Sequence, residues 1–317
     1  MANKIAFIFP GQGAQYVGMG KDFYDTFPAA RDVFEKADAF LQRPFSSLIF
    51  SGSTEELTQT KNSQLAIFIV SLAILAALRQ ALPSIVPSVC AGLSLGEYTA
   101  LVASGKLSLE EGLALVEKRA AFMQQACISN PGSMRVVLGM DPERIATVLQ
   151  GLAAQAWIAN LNCPGQVVIA GTVEGLEKAS IALKEAGAKR VLPLEVSGAF
   201  HSALMQPARD LLSPYLLQAS LQNTSIDLVM NTPGDFVKDT DQMRKFLIEQ
   251  VTQPVLYQKG IEAMIREGVD FFLEMGPGKT LQGMNKKIGV TCPTKSIEKS
   301  LELEEWIQER IHVYGNA

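Results

Sequence analysis

The sequence predicts an α/β protein of two lobes, a large one built on a parallel sheet and a small α+β one inserted into it. Three observations predict this. Short apolar runs at 4–9 (KIAFIF), 86–90 and 271–274 read as strands, the first of them continuous enough to be covered on both faces. Gly92-Leu93-Ser94-Leu95-Gly96 stands between a strand and a helix, the setting of a sharp turn that displays a serine. From Ser133 the texture changes to the order βαββαβ, which returns to the large lobe after Val196. The large lobe is therefore α/β-hydrolase-like and spans 1–128 and 197–317. The small lobe, 129–196, is ferredoxin-like, and no flexible linker marks either join.

In order along the chain, strand 4–9 runs into a Gly-rich loop, Pro10-Gly11-Gln12-Gly13, which displays Gln12 between two glycines. Neither a P-loop nor a dinucleotide pattern fits here: Gln15 stands where a P-loop needs Gly, and Tyr16 fills the last position of the dinucleotide pattern. Residues 31–41 read as a surface helix. The polar stretch 54–61 caps a helix from Gln64 to Gln80 that is apolar on all sides, and Pro83 and Pro87 end it. The turn at Ser94 follows, then a helix over 96–104 that stops at Gly105. Ser108 with Glu111 forms a capping box that opens a helix to about Gln125, with Leu109, Leu113, Val116, Ala120 and Met123 as its buried stripe.

The small lobe reads as strand 133–140, a helix started by Asp141 and Pro142, strands 156–161 and 166–171, helix 173–185 and strand 190–196. The large lobe then resumes with helix 204–217, strand 227–230, helices 241–250 and 255–267, strand 271–274, helix 281–287 and a terminal helix 302–312.

Composition narrows the function. A hydrophobic share of 48% over 317 residues supports a large core, and a formal net charge of −4 argues against a general nucleic-acid binder. Cys90, Cys127, Cys163 and Cys292 are scattered, which points to reduced thiols in the cytoplasm and to no metal framework. The chain enters its first strand at once, so no signal peptide is expected. The apolar segment 65–78 is too short to cross a bilayer.

A serine hydroxyl is a poor nucleophile at neutral pH and needs a base. The chain has two histidines. His312 lies in the terminal helix among Glu309, Arg310 and Tyr314 and reads as a surface residue. His201 lies in a loop between Phe200 and Ser202, so Ser94 and His201 form the natural pair. Arg119 aligns with Val116 and Met123 on the buried side of its helix, where a guanidinium requires an anionic partner.

Seven motifs in one order then match a family: the Phe9-to-Gly13 opening, Gly92 to Tyr98, Arg119 to Gln124 (RAAFMQ), Asn160 to Gly171 (NLNCPGQVVIAG), Ala199 to Ser202, Gln250 to Val255 (QVTQPV) and Glu274 to Lys279 (EMGPGK). On these the chain resembles, over nearly its whole length, the malonyl-CoA:acyl carrier protein transacylases and the related acyltransferase domains of polyketide synthases.

The resemblance implies ping-pong transfer of a malonyl group from malonyl-CoA, through Ser94, to the phosphopantetheine thiol of an acyl carrier protein, with no cofactor beyond these substrates. It makes His201 the base, oriented by the main-chain carbonyl of Gln250. It gives the oxyanion to the N–H groups of Gln12 and Leu95 and the malonyl carboxylate to Arg119. Phe200 and Asn162 line the substrate, and Phe200 looks like the malonyl-selective variant. The pattern departs at Leu93, where the family usually has His, and at Ala120, where it usually has Gly. Lys189, Arg190, Lys286 and Lys287 suit an acidic carrier protein by sign. The expected protein is a cytoplasmic monomer that binds neither membrane nor nucleic acid. A serine thioesterase and a polyketide-pathway acyltransferase stay open as alternatives at this point.

Overall fold

The computed structural model describes residues 4–314, with side chains described up to residue 309. Ten strands are β1 (Ile5–Phe9), β2 (Val89–Gly92), β3 (Ser133–Leu138), β4 (Ala156–Cys163), β5 (Gln166–Gly171), β6 (Arg190–Pro193), β7 (Asp227–Met230), β8 (Asp235–Phe236), β9 (Phe271–Met275) and β10 (Thr294–Ile297) among these residues. The helices are α1 (Lys21–Thr26), α2 (Pro28–Leu41), α3 (Phe45–Ser51), α4 (Thr54–Thr58), α5 (Thr60–Ala81), α6 (Gly96–Ala103), α7 (Leu109–Ser129), α8 (Pro142–Gln150), α9 (Val173–Glu185), α10 (Gln206–Gln218), α11 (Thr240–Gln250), α12 (Tyr257–Arg266), α13 (Thr280–Ile288) and α14 (Ser300–Tyr314).

One sheet has the order β10-β9-β1-β2-β7-β8 and is parallel except for the β7–β8 edge pair. The run at β1 shows why both faces are covered. Ile5, Phe7 and Phe9 point into the core that holds α5, while Ala6 and Ile8 point into the core against α12 and α13. The second sheet, β4-β5-β3-β6, is antiparallel and packs α8 and α9 over its own core of Val137, Ile145, Val167, Ile169 and Leu183. The two-lobe α/β class expected from the sequence is the one observed. Val255 ties the sheets together: its N–H donates to the Ala159 carbonyl at 2.9 Å, and its carbonyl accepts from the Leu161 N–H at 2.9 Å.

Several boundaries differ from expectation for physical reasons. Strand β2 begins at Val89, not Val86, because Val86 is exposed and the register with β1 runs Ala6–Val89 to Phe9–Gly92. Helix α12 begins at Tyr257, since Val255 is committed to β4. Helix α5 is longer than the apolar run 65–78: it spans 22 residues, enough by length and composition to cross a membrane, yet residues 62–75 are all buried inside the lobe. The short helices α1, α3 and α4 and the edge strands β8 and β10 carry too little periodicity to be read from the sequence. His312, expected at the surface, lies outside the described side chains.

Candidate active site

Strand β2 and helix α6 meet in a turn that only small residues at two points allow. A Cβ on Gly92 would lie 2.0 Å from the carbonyl carbon of Gly96, and one on Gly96 would lie 2.1 Å from the Phe9 carbonyl oxygen. Ser94, between them, holds a left-handed backbone at φ 53°, a conformation that costs a non-glycine residue free energy and persists only when its surroundings impose it. Asn231, one residue past β7, imposes it here. Its Oδ1 accepts the Ser94 N–H at 2.7 Å and its Nδ2 donates to the Gly92 carbonyl at 2.6 Å.

The turn aims the Ser94 hydroxyl at His201, whose Nε2 lies 2.8 Å from Oγ. Nδ1 of the same ring lies 2.7 Å from the main-chain carbonyl of Gln250 at the end of α11. A carbonyl only accepts, so Nδ1 carries the proton and Nε2 presents its lone pair to the hydroxyl. His201 is 4% exposed. Burial, and next the Arg119 charge, lower its pKa to about 4 against the opposing pull of the Gln250 carbonyl. The ring is therefore neutral at pH 7 and able to accept a proton.

Arg119 projects from α7 into the same space and is 1% exposed. Its Nη1 donates to Gln64 Oε1, and its Nη2 donates to Ser94 Oγ at 3.0 Å and to Gln250 Oε1 at 2.9 Å. The Tyr98 ring centroid lies 5.3 Å from the guanidinium carbon. The anionic partner that the sequence demands of this residue is not supplied by direct contact: among the described residues every hydrogen-bond acceptor on Arg119 is neutral. Two N–H groups of the guanidinium are left over, one on Nη1 and one on Nε, and Nε has no partner among the described residues.

A cavity of about 280 Å³ opens over Ser94 and His201, with Gln12, Asn162 and Phe200 also in its wall. Both sheets contribute, since Asn162 belongs to β4. Asn162 is 5% exposed and its Oδ1 has no partner among the described residues. Phe200 lines the same cavity as the imidazole. Neither the Gln12 nor the Leu95 main-chain N–H is engaged by another described residue. Leu93 also lines the cavity. A second cavity, about 550 Å³, reaches His201 from the outer edge of β4.

Three members of this arrangement are missing from the sequence reading: Gln64, Asn231 and Glu97, whose carboxylate accepts from the Asn231 main-chain N–H at 2.6 Å and from Gln250 Nε2. Asn231 had a usable signal, because it follows a strand at the carboxyl end of a parallel sheet, where ligands gather. Glu97 was visible only as a charged residue opening a helix otherwise fit for burial. Gln64 had no signal beyond being a polar residue at the head of a buried helix.

Comparison with known proteins agrees with this geometry. The model of the acyl transferase domain family matches residues 6–295. The malonyl CoA-acyl carrier protein transacylase of Bacillus subtilis is 43% identical, over 99% of this chain and the whole of that protein. The crystal structure of the Clostridium perfringens malonyl CoA-acyl carrier protein transacylase superposes with a TM-score of 0.92 at 37% identity, covering 99% of this chain and all of that one. A type II polyketide acyl carrier protein in complex with its malonyl-transacylase gives a TM-score of 0.92 at 35% identity, covering 96% of this chain and 99% of the other. With that much of its length matched, the chain belongs to the acyl transferase family, among the malonyl CoA-acyl carrier protein transacylases.

Proposed function

We propose that this protein moves a malonyl group from malonyl-CoA to the phosphopantetheine thiol of an acyl carrier protein, supplying extender units for fatty acid synthesis. One observation carries the reading. A serine hydroxyl lies within hydrogen-bond range of a neutral imidazole and of a buried guanidinium that has no carboxylate of its own. A nucleophile needs the first, and an acyl group ending in a carboxylate is what fits the second.

In this reading Ser94 Oγ attacks the thioester carbonyl while its proton passes to His201 Nε2. The oxyanion is held by the free N–H groups of Gln12 and Leu95; loss of such a donor typically costs on the order of 10²–10³ in rate. The C–S bond then breaks, His201 returns the proton to the departing sulfur, and coenzyme A leaves malonyl-Ser94. The carrier thiol gives its proton to His201, attacks the ester and reverses the sequence. Esterified Ser94 Oγ is a poorer acceptor, so the Nη2 proton that it holds in the free protein turns to the malonyl carboxylate, next to the spare proton on Nη1. Gln250 orients the ring through its carbonyl, while Phe200 and Asn162 bound the acyl group. The cleft lies where the lobe 129–196 meets the lobe formed by 1–128 and 197–317.

The basic residues proposed for carrier docking share one rim. Leu138 pairs with Gln166 on one side and Arg190 on the other, so Lys189 and Arg190 lie at the end of the small sheet where β5 begins. Gln166 lines the cavity and accepts from Lys287 Nζ at 3.0 Å. Lys286 is its neighbour on α13, and all four side chains are exposed. All four cysteines are free and three are buried, which suits a reducing, cytoplasmic compartment.

Intact-mass analysis after mixing with malonyl-, methylmalonyl- and acetyl-CoA tests the reading. A malonyl adduct that Ser94→Ala abolishes and that holo carrier protein removes is the expected result. An adduct released only to water would make the protein a thioesterase.

A further inference from the structure

The buried charge of Arg119 raises a question that the reaction does not answer. A guanidinium sealed from water needs a counter-charge, yet a carboxylate bonded to it directly would occupy the site meant for substrate. We propose that Glu97 is the counter-charge, held one residue away from Arg119 by the side chain of Gln250, and that it acts as a positioning residue for acyl-group selection. The inference rests on the malonyl-transfer reading above.

Glu97 opens α6, three residues after Ser94, and is fully buried. Its Oε1 accepts the main-chain N–H of Asn231 at 2.6 Å, and its Oε2 accepts Gln250 Nε2 at 2.5 Å. Gln250 Nε2 also donates to the Ser94 carbonyl at 2.9 Å, while Gln250 Oε1 accepts from Arg119 Nη2. The carboxamide therefore lies between an anion and a cation, with its dipole aligned to both. Its oxygen faces the guanidinium and its nitrogen faces the carboxylate. Burial outweighs the opposing pull of the Asn231 N–H, Arg119 and Gln250 and raises the Glu97 carboxyl to about 8 in the free protein, yet the hydrogen bonds that it accepts are those of a carboxylate. Two N–H donors, one on each oxygen, form the bonding pattern of the ionised group.

This placement separates two demands. Charge compensation reaches Arg119 through a neutral amide, so Nε and one Nη1 proton stay unclaimed for an incoming carboxylate. The same carboxylate also anchors Asn231, which holds the Ser94 backbone, and Gln250, whose carbonyl holds His201. The supports of Ser94 and His201 do not depend on its charge: an amide oxygen at position 97 would keep the Asn231 bond, and the carbonyl that holds His201 belongs to the main chain.

Glu97→Gln changes the charge and almost none of the volume. The Asn231 donor belongs to the main chain and cannot turn away, so the oxygen of the new amide stays on it. Its NH₂ then faces Gln250 Nε2, donor against donor, and the Gln250 side chain gives way and releases Arg119. Single-turnover loading of Ser94 should fall at least tenfold with malonyl-CoA and by less than threefold with acetyl-CoA. In an Arg119→Met background, adding Glu97→Gln should change malonyl loading by less than threefold, because the group through which Glu97 acts is already gone. Equal losses with both acyl groups, or the same loss in both backgrounds, would overturn the proposal. Circular dichroism and the thermal midpoint confirm that each variant is folded. If Glu97→Gln does not fold, Glu97→Asp, which keeps the charge and shortens its reach to Gln250, carries the same acyl-selectivity test with the same limits. Wild-type protein that never loads malonyl on Ser94 would defeat the underlying reading, whereas wild-type loading with an unaltered Glu97→Gln variant would defeat only this inference.

Discussion

Ser94 and His201 stand 107 residues apart in the chain, and their reactive atoms lie 2.8 Å apart in the fold. Both hold left-handed backbone, at φ 53° and 56°, conformations that L-residues avoid. Each is strained for the same reason: the turn that carries it must lift its side chain out of the framework toward the other. Asn231 restrains the first by its side chain, and the Gln250 carbonyl restrains the second through the ring.

That strain can be measured by comparing two inactive variants. Ser94→Ala and Ser94→Gly both lose the hydroxyl, but only glycine accepts φ near +53° without penalty. Ser94→Gly should unfold with a free energy about 1 kcal/mol higher than Ser94→Ala in urea titrations. Equal midpoints would mean that the elbow stores no such energy.

The pH dependence follows from the depressed pKa of His201, about 4 in the folded protein against an ordinary value near 6.5. Between these values the unfolded chain binds a proton at this site that the folded protein refuses. The stability from this group is complete above about pH 6.5 and is lost as pH falls to about 4. The difference in unfolding free energy between wild type and His201→Gln should therefore shrink on going from pH 7 to 4.5. Loading by the free enzyme, followed as kcat/KM, should stay level down to about pH 5. A malonyl carboxylate on Arg119 offsets part of the charge that lowers His201, so the acid limb of kcat should lie at higher pH for malonyl than for acetyl. Identical limbs would separate Arg119 from the base.

Arg119→Ala tests acyl selection directly. A charge-assisted hydrogen bond contributes about 1.5–3 kcal/mol, so losing the pair should lower malonyl loading on the order of 10²-fold or more. Acetyl loading should hold or improve. A parallel fall in both rates, read by intact mass at fixed times, would show that Arg119 serves the serine and not the substrate.

The sequence carried the frame of this site better than its interior. Ser94 was legible because glycines at 92 and 96 mark a turn that side chains would block. His201 was legible by scarcity, and Arg119 by its position on the buried side of a helix. The wiring beneath them was not. Asn231, Glu97 and Gln64 act only through contacts across 137, 153 and 55 residues of separation, and no local period encodes such a contact. The same limit explains the edge strand β10, whose polar sequence Thr294-Lys295-Ser296-Ile297 pairs with β9 only because β9 is already in place. It also explains the start of β2, which is set by register against β1 and not by the apolar run before it.

Carrier docking gives the last test, because the two half-reactions share the cleft but not the rim. Under the docking proposal, malonyl-CoA needs only to reach Ser94, whereas an acidic carrier protein also settles against the basic edge formed by Lys189, Arg190, Lys286 and Lys287. Lys286→Glu with Lys287→Glu reverses charge at that edge while leaving Ser94, His201 and Arg119 untouched. The apparent KM for carrier protein should rise several-fold, mostly through slower association, and the effect should diminish at high ionic strength as the charges are screened. Loading of Ser94 from malonyl-CoA should keep its wild-type rate. Lys287 also donates to Gln166 inside the cavity wall, so the single variant Lys286→Glu separates docking from any change in the cleft. If loading and transfer decline together in that single variant, the rim serves the cleft itself and the carrier protein docks elsewhere.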